Sequence, residues 1–158
     1  LVGSIARRYE ESGAKVDNRV SAKMPLVLLR GACLEIVMDN LISNAVKHGA
    51  SSEPVVVEAE ISSERRGLGA GRLLFIRVID GGPGIPEKEL ADVFDPFYRG
   101  RTDGEGAGGL GLGLALVRNV LNLMMGSVKL DSGRGKGTVA TVCIPFPEEK
   151  PGPYDRIG

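Results

Sequence analysis

The 158 residues predict an α+β fold, a two-layer sandwich with helices on one face of a mixed, mostly antiparallel sheet. Three observations lead there. Residues 31–48 and 110–125 carry apolar side chains at helical spacing, whereas 54–61, 72–80, 127–132 and 138–145 have strand length and β-branched content. The strands come in consecutive pairs instead of alternating with helices. Glycine, 23 of 158 residues and about twice its average usage of ~7%, gathers between those stretches instead of spreading as it would in a linker.

Taken in order, residues 1–12 are weakly amphipathic and helix-like, with Gly13 as a stop. Residues 15–21 alternate as a strand does, and Pro25 opens a turn into the long helix 31–48, which Gly49 should end. Strands 54–61 and 72–80 flank the glycines of 67–71, read as a plain loop. Pro83 and Pro86 break the chain before a short helical piece, 87–93. The polar run 99–109 has no periodicity and reads as a mobile lid. A second helix, 110–125, should end at Gly126, and strands 127–132 and 138–145 close the domain around the turn 133–137. These elements place one domain over 1–147 and a flexible tail over 148–158. Leu1 in place of Met points to a piece of a longer protein.

Composition excludes several classes. Lys plus Arg and Asp plus Glu both number 20, so the basic surplus of a nucleic-acid-coating protein is missing. Apolar runs are too short for a membrane span, so no direct membrane contact is expected. Cys33 and Cys143 lie far apart in apolar segments and read as small buried hydrophobes of a reduced, cytoplasmic compartment.

Three places carry chemistry. Asn40, Asn44 and Lys47 recur at i, i+4 and i+7 on one helix face, with His48 beside them. Asparagine is a poor helix-interior residue, and ordinary solvated faces use Glu and Lys. Paired amide oxygens next to a cation suit Mg²⁺ with phosphate. His48 is the only histidine and has no triad partner, so a contact role is the most it should have. Asp80 closes an apolar strand and enters Gly81–Gly82–Pro83–Gly84–Ile85. An ionised carboxylate only accepts hydrogen bonds, so it would take the exocyclic amine of adenine and reject the oxygen of guanine. Gly82 and Gly84 would let a flat base lie against backbone. Finally, the helix opening at Leu110 has Gly111 and Gly113 in its first turns, after Gly108 and Gly109, baring amides for an anion. No strand precedes the G-x-G-x-x-G matches near it, and GRGKGT lacks the Lys-Ser/Thr of a Walker loop, so both of those readings are rejected.

Together these segments resemble the ATP-binding catalytic domain of sensor histidine kinases, in the superfamily shared with gyrase, heat-shock chaperone and mismatch-repair ATPases. DNLISNAVKHG (39–49) resembles its asparagine box, DGGPGI (80–85) the first glycine box and FDPFYRG (94–100) the phenylalanine box. GGLGLGLALV (108–117) resembles the second glycine box and SGRGKGTVATVCIP (132–145) the closing strand segment, so the motifs cover about 26–146. The resemblance implies a Bergerat-type fold. It implies Mg²⁺ on Asn44 with Asn40, and phosphate contacts from Lys47 and Arg99. His48 and Tyr98 would flank the nucleotide. Asp80 would sit on the adenine amine with Thr138 in support through water, and Gly82, Gly84 and Ile85 would line the base. Backbone of Gly109, Leu110, Gly111, Leu112, Gly113 and Leu114 would meet phosphates. Asn40, Lys47 and Arg99 are the expected catalytic set. Ile36 departs from the family, which often has Gln or Arg four residues before the first Asn.

The expected activity is that of a protein histidine kinase, moving the γ-phosphoryl group of Mg-ATP to a histidine outside this chain, since no phosphoacceptor box is present. That histidine would lie on a dimerisation domain of the same homodimeric parent, with a response regulator downstream. A nucleotide-binding regulatory module without phosphotransfer is the alternative. An ATPase clamp is a third reading. It needs a carboxylate base, and Glu35 and Asp39 fall off the Asn40/Asn44 stripe.

Overall fold

The computed structural model describes residues 1–24, 29–49, 53–62, 71–100 and 110–147. Helix α1 (Val2–Glu11) leads through Gly13, at φ +86°, to strand β1 (Val16–Asn18), and helix α2 spans Gly31–His48. Strands β2 (Val55–Ile61) and β3 (Gly71–Asp80) precede a 3-10 turn at Glu87–Glu89. Helix α3 (Gly113–Leu123), β4 (Ser127–Ser132) and β5 (Thr138–Pro147) complete the order. The five strands form one sheet, β1-β2-β3-β5-β4, in which only β1–β2 is parallel. The expected mixed, mostly antiparallel sheet with helices on one face is therefore present.

Alternation in the strands sets the core. Val55 and Val57, Leu74, Ile76 and Val78, and Ala140, Val142, Ile144 and Phe146 all turn one way and are buried. Against them lie Leu34, Val37, Met38, Leu41, Ile42 and Ala45 of α2 and Ala115, Val117, Val120 and Leu121 of α3. Full burial of a side chain such as Ile76, Leu121 or Ile144 contributes roughly 1.5–3 kcal/mol, so this seam joins the layers. The other sheet face carries an exposed charge ladder in which Arg77 pairs with Glu58 and Glu60.

Several boundaries differ from the expectation. β1 stops at Asn18 because that side chain accepts a hydrogen bond from the Val20 amide at 3.2 Å, turning the chain away. The helical piece expected at 87–93 is one 3-10 turn followed by further turns. α3 begins three residues late. Gly111 is left-handed (φ +69°) and its carbonyl accepts the Phe97 amide at 3.0 Å, so 110–112 connect to the 94–98 turn instead of coiling. At its far end Met125 (φ +55°), not Gly126, takes the left-handed position. Gly126 is needed because a Cβ there would lie 2.8 Å from the Cys143 carbonyl oxygen. Gly49 likewise caps α2 without a positive φ. Its bareness admits the Asp80 side chain, whose Cβ would be 2.8 Å from a Cβ on Gly49. Cys33 and Cys143 are half-buried, Cys143 on the sheet face away from the helices, so neither is the fully buried hydrophobe expected. The loop 67–70, most of the lid (101–109, including Gly109), the turn at Pro25 and the tail 148–158 lie outside the described residues.

Candidate functional site

Asp80, Thr138 and Ser132 are cross-strand partners at one end of the sheet, Asp80 opposite Thr138 on β3–β5 and Ser132 opposite Thr138 on β4–β5. All three are in phase with the buried rows, so they point into the helix layer where the strands stop. Asp80 Oδ1 accepts the Gly82 amide at 2.9 Å. Burial pushes its carboxyl above the usual range, against the amides of Gly82 and Thr138 and the nearby His48, which favour the ionised form.

The glycines around Asp80 are required by the chain's own backbone as well as by any ligand. A Cβ on Gly82 would lie 2.8 Å from the His48 carbonyl oxygen and 2.9 Å from Asp80 Oδ1. One on Gly84 (φ +71°) would overlap the Gly133 carbonyl, and one on Gly137 (φ +71°) would overlap that of Asp80. The room is taken by the chain's own backbone, two turns nested together, before any base enters. The Gly135 amide donates to Pro83 O at 2.6 Å, and the Ile85 amide donates to Ser132 Oγ at 2.8 Å. Ser132 escaped the sequence reading. Its signal was a polar residue in phase with Val128 and Leu130, where an apolar one belongs.

The second half of the site lies between α2 and α3. Gly113, the first residue of α3, faces the asparagine stripe, and a Cβ there would sit 3.0 Å from Asn40 Oδ1 and 3.6 Å from Asn44 Nδ2. Asn40 Nδ2 donates to Ile36 O at 2.8 Å, which leaves Oδ1 as the end presented to α3. No side chain caps α3 and no acidic residue stands in its first turn, so its leading amides are available to an anion. Lys47 and His48 are exposed at the end of α2, and Lys47 has no ion-pair partner among the described residues. The 94–98 turn reaches this region through Phe97 and Gly111. Tyr98 OH donates to Glu89 Oε2 at 2.8 Å, and Arg99 follows it, exposed. Leu110 and Leu112 are exposed, Leu114 half-buried.

A divalent cation fits this donor set. Two amide side chains beside a bare helix start offer neutral oxygens that phosphate would complete, and no cluster of three His, Cys, Asp or Glu exists among the described residues. Glu35 and Asp39 turn the other way, both ion-paired to Arg8 of α1 at 2.9 and 2.7 Å. Among the described residues no helix is long and apolar enough to cross a membrane.

A half-buried carboxylate at the sheet end and an uncapped helix start over two asparagines sit in a fold of a known class. Residues 31–148 match the family described as histidine kinase-, DNA gyrase B-, and HSP90-like ATPase, and the chain belongs to that family. It is 38% identical over 121 residues to the sensor histidine kinase WalK of Bacillus subtilis, covering 76% of this chain and 19% of that protein. It is 31% identical over 149 residues to the C4-dicarboxylate transport sensor protein DctS of Rhodobacter capsulatus, covering 94% and 21%. The chain thus spans about a fifth of the length of these curated relatives. The crystal structure of full-length ShkA in complex with AMPPNP is similar with a TM-score of 0.68 and 27% identity, covering 94% of this chain and 29% of that one. The mycobacterial sensor histidine kinase MprB shares the fold at a TM-score of 0.69 and 23% identity, covering 94% and 93%.

Proposed function

We propose that this domain binds Mg-ATP and transfers the γ-phosphoryl group to a histidine on a dimerisation domain of the same parent protein, a sensor kinase that acts with a response regulator. The observation that carries it is Gly113 set against Asn40 and Asn44, an uncapped helix start over two amide side chains. ShkA, which shares the fold at 27% identity, was crystallised with an ATP analogue, and that supports the ligand class.

In this reading Asp80 accepts from the adenine amine, Thr138 supports that contact, and Gly82, Gly84 and Ile85 shape the turn beneath the base. Asn40 and Asn44 would hold Mg²⁺, which supplies charge neutralisation on the phosphates. Amides leading into α3, from Gly111 to Leu114, receive phosphate oxygens, with Lys47 and Arg99 adding positive charge as the phosphoryl group leaves ADP. His48 and Tyr98 flank the nucleotide. The acceptor imidazole is the nucleophile, so this chain positions and neutralises and supplies no strong base. The same point disfavours an ATPase clamp, because Glu35 and Asp39 are held by Arg8 away from Asn44.

Incubation with γ-labelled ATP, Mg²⁺ and a separately made acceptor domain of the parent tests the reading. Label appears on the acceptor histidine with the wild-type chain and is lost with Asn44→Ala. ATP binding without any transfer would leave a regulatory nucleotide-binding module instead.

A further inference from the structure

Ser132 Oγ has three partners. It accepts the Ile85 amide at 2.8 Å, lies 2.7 Å from Gly137 O, and lies 3.0 Å from Thr138 Oγ1. A serine hydroxyl has one proton and two lone pairs. The Ile85 amide can only donate and the Gly137 carbonyl can only accept, so the Ser132 proton goes to Gly137 O. The remaining lone pair must then receive the Thr138 proton. With that proton committed to Ser132, Thr138 Oγ1 faces its other neighbours as an acceptor only.

Thr138 is the cross-strand partner of Asp80, whose carboxylate is also an acceptor. Two acceptors side by side call for a donor. The six-position of adenine carries an amine, whereas that of guanine carries an oxygen. A freely turning threonine hydroxyl would serve either base, because it could donate to the guanine oxygen. A tethered one serves only the amine.

We propose that Ser132 is a specificity-determining positioning residue, fixing the Thr138 hydroxyl so that this site takes an adenine nucleotide and rejects a guanine nucleotide. The proposal rests on the ATP-site reading above. It concerns selectivity, which a merely structural serine would not alter, since loosening the 80–85 turn weakens all nucleotides together.

The test is calorimetric titration of Mg-ATP and Mg-GTP into the wild-type chain and its variants. Ser132→Ala lowers the ATP-to-GTP affinity ratio roughly three- to tenfold, the worth of one neutral hydrogen bond. Ser132→Thr keeps the ratio. Ser132→Cys, nearly isosteric but a poor hydrogen-bonding group, lowers it and serves if the alanine variant does not fold. Thr138→Val lowers it equally, and adding Ser132→Ala to Thr138→Val lowers it no further. An unchanged ratio in the alanine and cysteine variants overturns the proposal, as does a further fall in the double variant. A wild-type chain that binds ATP without preferring it to GTP overturns this inference alone. One that binds neither overturns the nucleotide reading, and this inference with it.

Discussion

The two ends of the site are built differently. At the Asp80 end the chain completes itself. Two glycine turns nest backbone to backbone, Pro83 O takes the Gly135 amide, and every partner of Ser132 comes from the protein. At the Gly113 end the parts face one another but do not close. The α3 amides have no side-chain cap, Lys47 stands in solvent, and Leu110 is 75% exposed. On the proposed function, a base pocket built before binding, joined to a phosphate region that a ligand must complete, would separate recognition from closure. The ordering cost of binding then falls on the phosphate side.

That contrast is most severely broken at Gly84. In Gly84→Ala the new methyl meets the Gly133 carbonyl at a positive φ, and both overpacking and left-handed strain add. Stability falls by about 3 kcal/mol or more, read by urea denaturation, and ATP binding is lost with it.

Asp80→Asn separates binding from stability. With the amide oxygen kept by the Gly82 N–H, it turns an amide NH2 toward the adenine amine and weakens ATP binding at least about tenfold, the loss of a charged hydrogen bond. The pH sign follows from burial, which raises the Asp80 carboxyl. The folded state holds that proton more tightly than the unfolded chain does. Its stabilising contribution is therefore complete below the ordinary carboxylate range and lost as pH rises through the raised value. At neutral pH the ionised group costs stability, so Asp80→Asn leaves the melting temperature unchanged or higher while binding collapses. In the wild type, ATP affinity fades on acidification through that same raised value, earlier than an ordinary aspartate would allow.

Lys47→Ala probes the open end more gently. One exposed cation lost from a shared phosphate contact weakens ATP binding roughly three- to tenfold, or about 0.7–1.4 kcal/mol. Stability is untouched, and the loss shrinks as salt is raised.

Much of this was legible in the residues. The bounds of α2 follow from its apolar spacing and the Gly49 stop, and the strand pairs from their β-branched runs. The asparagine stripe announced itself because asparagine is costly inside a helix. What could not be read were long-range approaches. Nothing local says that Gly111 must bend to receive the Phe97 amide, which is why α3 starts late. Nor does the DGGPG segment reveal that Gly82 makes way for the end of α2 and Gly84 for the distant turn at Gly133. Ser132 was hidden in a strand whose alternation looked ordinary, although its phase marked it.

The central claim is that the asparagine stripe and the start of α3 form the phosphate half of one ATP site with Asp80. Calorimetric titration of Mg-ATP into the wild-type chain and Asn44→Ala tests it directly. The variant should bind at least about tenfold more weakly, equal to roughly 1.4 kcal/mol, with its melting temperature in the absence of nucleotide unchanged. Equal affinity in the two proteins would contradict the claim.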